Sequence, residues 1–130
     1  MSRSETLQSL TSAWNAAWNS RDPSQLAAFF AAGGTYYEPS LSGGPVNGAD
    51  GIGAIARQTW ADWPEAQFEE VSITAADPRV VLEWRSTATH SSGKVLNLEG
   101  VDVLEWSGDK LVAVRVYYDV HCRKVALGED

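Results

Sequence analysis

The apolar positions change period along the chain. Up to about Trp63 they recur every three or four residues, as on one face of a helix, and from Gln67 onward every second residue, as on one face of a strand. Leu7, Leu10, Trp14, Ala17 and Trp18 predict a first helix running to about Ser20, with Ser2 and Glu5 spaced for a capping box. Asp22-Pro23 offers the N-cap and first-turn proline of a short second helix, whose stripe is Leu26, Phe29 and Phe30 and whose stop is Gly33-Gly34. Thr35-Tyr36-Tyr37-Glu38-Pro39 reads as a brief strand ended by a proline without a ladder donor. The glycine-rich stretch from Ser40 to Gly48 reads as a loop, and a third helix follows with Ile52, Ile55, Thr59, Trp60 and Trp63 on one side and Pro64 closing it.

Four strands are predicted after that: Phe68 to Thr74, Val80 to His90, Val95 to Trp106 and Leu111 to Cys122. Short turns at Asp77-Pro78, Ser91-Ser92-Gly93 and Gly108-Asp109 join them into an antiparallel meander. Helices first and strands afterwards predict an α+β fold, a curved antiparallel sheet whose apolar face wraps the N-terminal helices, in one domain over residues 1–130.

Polar residues on the apolar faces are the informative exceptions. Leu96, Leu98, Gly100, Asp102, Leu104 and Trp106 share one side of a strand, so Asp102 is a carboxylate among leucines and a tryptophan, costly to bury ionised and unpaired. Val80, Leu82, Trp84, Ser86 and Ala88 lead to His90, and Val112, Val114, Val116, Tyr118 and Val120 bring Tyr118 inward. Glu38 shares its face with Tyr36. A plain two-residue turn at Gly108-Asp109 would pair Asp102 with Arg115 and make the pair structural. A one-residue bulge there restores the alternation and leaves Asp102 facing the interior.

Composition narrows the partners. A net charge of −7 and a pI near 4.7 argue against a nucleic-acid or anionic-membrane partner, and leave a small apolar or cyclic ligand open. No apolar run approaches the roughly 20 residues that span a bilayer. The polar start and the single Cys122 predict a cytoplasmic protein without a disulfide. His121 and Cys122 point to opposite faces, so no metal site is expected. Gly48, Gly51 and Gly53 have the wrong order for a dinucleotide loop.

With these residues in view, nearly the full chain resembles the nuclear-transport-factor-2-like superfamily of cone-shaped, cystatin-like α+β barrels, and within it the SnoaL-like polyketide cyclases and ketosteroid isomerases. Thr35 to Pro39 resembles the isomerase stretch whose acidic residue before proline is the general base. Val101 to Trp106 resembles the strand whose aspartic acid donates to the oxyanion, and Trp14 stands where the isomerases carry a tyrosine. Val114 to Tyr118 is similar to their closing strand, while the ending Tyr117-Tyr118-Asp119 is more like the SnoaL-like proteins. In the cyclase branch His90 and Asp102 would take the places of the active-site histidine and aspartate. An indole cannot exchange a proton, so Trp14 departs from the isomerase pattern. The limonene-epoxide hydrolases need an aspartate where this chain has Val116.

The resemblance implies cofactor-free acid/base enolisation of a polyketide- or steroid-like carbonyl compound, with Glu38 as base, Asp102 as acid or oxyanion donor and His90 as auxiliary. The handling of two carboxyls, one ionised and one kept protonated by apolar surroundings, is the known logic of ketosteroid isomerase. Trp14, Tyr118, Trp60, Trp84, Tyr36 and Val116 are the expected ligand contacts, and the outer sheet face, with Tyr117 and Asp119, the expected homodimer contact. The alternative is a binding or accessory protein in which Asp102 is a satisfied buried acid bonded to Trp14 or Tyr118.

Overall fold

A computed structural model describes residues 1–39, 43–119, 121, 124 and 128. Helix α1 spans Arg3–Ser20 and starts with the expected capping box, Ser2 Oγ accepting from Glu5 N–H and the Glu5 carboxylate accepting from Ser2 N–H. It ends at Arg21, whose positive φ of 61° turns the chain sharply. Helix α2 (Pro23–Ala27) is capped by Asp22, and α3 (Gly48–Asp62) by Asn47.

The strands are β1 (Phe30–Tyr37), β2 (Val46–Asn47), β3 (Glu69–Ala76), β4 (Arg79–Thr89), β5 (Val95–Ser107) and β6 (Lys110–Tyr118). They form one curved, unclosed sheet in the order β2-β1-β6-β5-β4-β3. Strands β3 to β6 are the antiparallel meander that the turns predict. Strand β1 adds on in parallel to β6, pairing Tyr36 with Val114 and Tyr37 with Arg115. No local sequence signal announces that pairing, because its partners lie about 80 residues apart and a parallel pair needs a long crossover.

Three local expectations are corrected. The second helix does not reach Phe30 or stop at Gly33-Gly34; Phe30 opens β1, and the glycines lie inside that strand. A Cβ on Gly34 would stand 2.6 Å from the Leu111 carbonyl, so its bareness is what lets β1 approach β6. On β6 the buried residue next to the turn is Leu111, while Val112 is exposed. The bulge responsible lies one step beyond the Gly108-Asp109 turn: Trp106 pairs with Leu111 and Glu105 with Ala113, leaving Val112 as the extra residue. Part of the glycine loop is also strand, since Val46 and Asn47 pair with Tyr36 and Thr35. Ser40 to Ser42, Val120 and Cys122 lie outside the described residues.

The concave face of the sheet and the helices share one core of Leu7, Trp14, Trp18, Leu26, Ile52, Leu82, Leu104 and Trp106 with their neighbours. Edge-to-face contacts knit it, with Trp14 against Trp18, Phe29 and Phe30 at 5.7 to 6.1 Å between ring centroids. Burying a side chain of this size stabilises the fold by roughly 1.5–3 kcal/mol.

Candidate active site

The bulge at Val112 determines what faces Asp102. Asp102 pairs with Val116, and Arg115 pairs with Val103. Arg115 therefore projects to the outer face, where its Nη1 lies 3.8 Å from Glu105 Oε1. Asp102 stays on the concave side, 5% exposed, with no ion pair among the described residues.

Two indoles hold it instead. Trp14 Nε1 donates to Asp102 Oδ2 at 3.0 Å and Trp84 Nε1 donates to Oδ1 at 2.8 Å. One donor comes from α1 and the other from the neighbouring strand β4, so both oxygens are engaged from opposite sides. Burial pushes the carboxyl up from 3.8 to about 6; the indole bonds from Trp14 and Trp84 pull the other way, and the nearby Glu38 adds to the rise.

Glu38 follows the end of β1 and is also buried. Tyr36 Oη donates to its Oε1 at 2.7 Å, the two side chains lying on one face two residues apart. Tyr118 Oη donates to Oε2 at 3.1 Å from β6. Burial, then the charges of Glu38 and Asp102, push the Tyr36 hydroxyl well above its ordinary range, so it remains a donor.

Both carboxyls line one cavity between the sheet and the helices, with about 90 Å³ open to the centres of water molecules. Tyr36, Trp84, Val116 and Tyr118 line it, as expected from the sequence. Trp14 does not; it is fully buried behind Asp102. Trp60 packs edge-on against Trp18 at 6.0 Å instead of lining the cavity. His90 is not among the lining residues either. Its Nδ1 lies 2.9 Å from Ser92 Oγ and accepts from Ser92 N–H, and its ring meets Trp63 edge-on at 4.9 Å. The turn carrying it is tied to α3 by Ser91 N–H donating to the Asp62 carbonyl.

The structure adds Asn15, Trp18, Asp62, Trp63, Phe68 and Ser86 to the lining. Ser86 was legible, since it sits on an apolar face two residues beyond Trp84. Gly100 was legible too, being a glycine inside a strand. It lies opposite Trp84, and a Cβ there would fall on the indole ring, so its absence seats the ring that reaches Asp102. Among the described residues no group of three His, Cys, Asp or Glu is placed to hold a metal ion, and no helix is long and apolar enough to cross a membrane.

Residues 11–114 match the family model described as SnoaL-like domain. The chain belongs to the SnoaL-like domain family. Solved structures share its fold. AclR from Streptomyces galilaeus, a candidate hydroxylase, is 24% identical with a TM-score of 0.83 over 98% of this chain and 87% of its own. A protein of ketosteroid isomerase-like fold from Catenulispora acidiphila, in complex with trimethylamine, is 22% identical with a TM-score of 0.82 over 93% of each chain. IdmH from Streptomyces antibioticus, a candidate polyketide cyclase, is 16% identical with a TM-score of 0.80 over 93% of this chain and 97% of its own. At these identities the likeness is one of fold. Among curated proteins none matches the sequence. A shared fold does not carry a shared activity, so the chemistry must be read from this chain's own cavity.

Proposed function

We propose that this SnoaL-like protein is a cofactor-independent cyclase or isomerase that moves a proton alpha to a carbonyl of a polyketide- or steroid-like compound. The observation that carries this reading is the pair of buried carboxyls, Asp102 and Glu38, on one mostly apolar cavity. Glu38, aligned by Tyr36 and Tyr118, takes the α-proton, and Asp102 in its acid form donates to the carbonyl oxygen as negative charge develops there. A carboxyl with its pKa at about 6 is suited to this work, because it both holds and releases a proton near neutral pH. Trp14 and Trp84 position Asp102 and cannot themselves exchange protons. His90, bonded to Ser92 and set against Trp63, braces the cavity wall and takes no part in proton transfer. The same reading has the protein act in the cytoplasm as a homodimer joined through the outer sheet face, where Val81, Val95 and Tyr117 are exposed.

β-Tetralone, a cyclic ketone with an acidic α-proton, tests it by deuterium uptake in heavy water followed by NMR. The wild type should speed α-exchange, and Glu38→Gln and Asp102→Asn should each lower the enzymatic rate by about a hundredfold or more. Exchange no faster than buffer, or unchanged in both variants, rejects the catalytic reading.

A second reading, a ligand-binding or accessory protein, is favoured by one fact: four donors, Trp14, Trp84, Tyr36 and Tyr118, already engage the two carboxyls. It predicts ligand binding without exchange.

A further inference from the structure

Trp14-Asn15 and Trp18-Asn19 repeat one pair of residues in α1 at a spacing of four, so both amides share one side of the helix beside the tryptophans. Asparagine is a poor helix former and costly to bury without partners, yet Asn15 is only 8% exposed. Both side chains meet at Phe68. Asn19 Oδ1 accepts from the Phe68 N–H at 2.8 Å while its Nδ2 donates to the Phe68 carbonyl at 3.0 Å. Asn15 Nδ2 donates to the same carbonyl at 2.9 Å. Phe68 stands just before β3, whose ladder with β4 begins where Glu69 pairs with Arg85. The Asn19 amide thus takes the place of a strand neighbour, giving the Phe68 backbone both a donor and an acceptor.

This clamp fixes a ring. Phe68 meets Trp84 edge-on, with 5.4 Å between ring centroids and the planes at 90°, and meets Trp18 at 5.8 Å. Trp84 is the indole that donates to Asp102 Oδ1. Its other neighbours include Gly100, which has no Cβ to displace it, and the Tyr118 ring at 6.3 Å. A relay of contacts therefore runs from the Asn19 amide through Phe68 and Trp84 to the buried carboxyl. Asn19 itself does not line the cavity.

We propose that Asn19, with Asn15 beside it, is a positioning residue for the proton transfer: it holds Phe68 so that the phenyl ring keeps the Trp84 indole aimed at Asp102. A hydrogen bond weakens steeply as the donor turns away from its acceptor, and a group misplaced by about 1 Å can cost about a hundredfold in rate. Supporting shells do their work by locking such geometry, and a side chain on a helix, bonded through both ends of its amide, leaves Phe68 little freedom. The proposal rests on the reading above in taking Asp102 as the proton donor, while the relay from Asn19 to Trp84 stands on geometry alone.

Exchange of each indole N–H with solvent, followed by NMR on the full chain, tests the relay in Asn19→Leu. Trp84 should exchange about threefold faster or more, while Trp106, a buried indole whose ring contact is Phe29, should keep its rate. In the β-tetralone assay the same variant should lower kcat by about tenfold and leave KM within about twofold, because Asn19 does not line the cavity. Phe68→Leu keeps the backbone clamp and removes the ring, and should reproduce the selective effect on Trp84. An unchanged Trp84, equal acceleration of Trp84 and Trp106 as from a general loss of stability, or a change in KM alone overturns the proposal. A wild type that does not exchange β-tetralone would remove the enolisation reading, and the indole rates would still decide the relay.

Discussion

Trp14 Nε1 donates to Asp102 Oδ2 at 3.0 Å, joining the first helix to the fifth strand inside the core. An indole in this place can stabilise a carboxylate but cannot share in its proton. Together with Trp84 on the other oxygen, it holds Asp102 between two opposed effects, burial favouring the acid and hydrogen bonding favouring the anion.

Trp14→Phe should therefore shift that balance. The ring volume is largely kept while Asp102 Oδ2 loses its donor, so the Asp102 pKa should rise above about 6 and stability should fall by about 1–3 kcal/mol. A carboxyl infrared titration and urea unfolding measure the two effects. An unchanged titration would mean that the indole bond does not tune the acid.

Asp102 should also leave a signature in the pH dependence of stability. Its folded pKa of about 6 exceeds the ordinary 3.8, so between those values the folded state binds more proton than the unfolded state. Its contribution to stability consequently declines as pH rises from about 4 to about 6, by roughly 3 kcal/mol, and is constant outside that window. Comparing wild type with Asp102→Asn across this range isolates the term. A difference that does not change with pH would contradict the raised pKa.

The two tyrosines on Glu38 should differ in cost. Tyr36 is 1% exposed, so Tyr36→Phe removes a hydrogen bond to Glu38 made inside the core and should cost about 1–3 kcal/mol. Tyr118 is only half-buried, so water can replace its hydroxyl in Tyr118→Phe, and about 1 kcal/mol or less should be lost. Urea midpoints of the two variants decide the order, and equal losses would speak against burial as the cause.

Gly100→Ala should disturb the site without touching a polar group. The added Cβ would fall on the Trp84 ring and 2.8 Å from the Tyr117 carbonyl, forcing the indole away from Asp102. A loss of about 1–3 kcal/mol and a change in the near-ultraviolet circular dichroism of tryptophan are expected. A variant with wild-type dichroism would show that the strands can absorb the methyl group.

Much of this was legible residue by residue. Helices α1 and α3, the meander and the inward placement of Asp102 follow from periods of 3.6 and two, because each is a property of consecutive residues. Phe30 and Gly33-Gly34 misled for the same reason. Their local chemistry reads as the end of a helix, and only the approach of β6, with its Leu111 carbonyl beside Gly34, makes them strand. His90 likewise continues the alternation of β4, but the strand ends at Thr89 and the turn binds the ring to Ser92.

By itself, then, the sequence determined which faces are apolar and which polar groups break them, since alternation is encoded in neighbouring residues. Tertiary structure alone decided the company those groups keep. The extra residue at Val112 turns Arg115 outward, α1 carries Trp14 to Asp102, and the parallel pairing of β1 with β6 brings Glu38 to Tyr118. These are contacts between segments far apart in the chain, set by register and packing rather than by any local pattern.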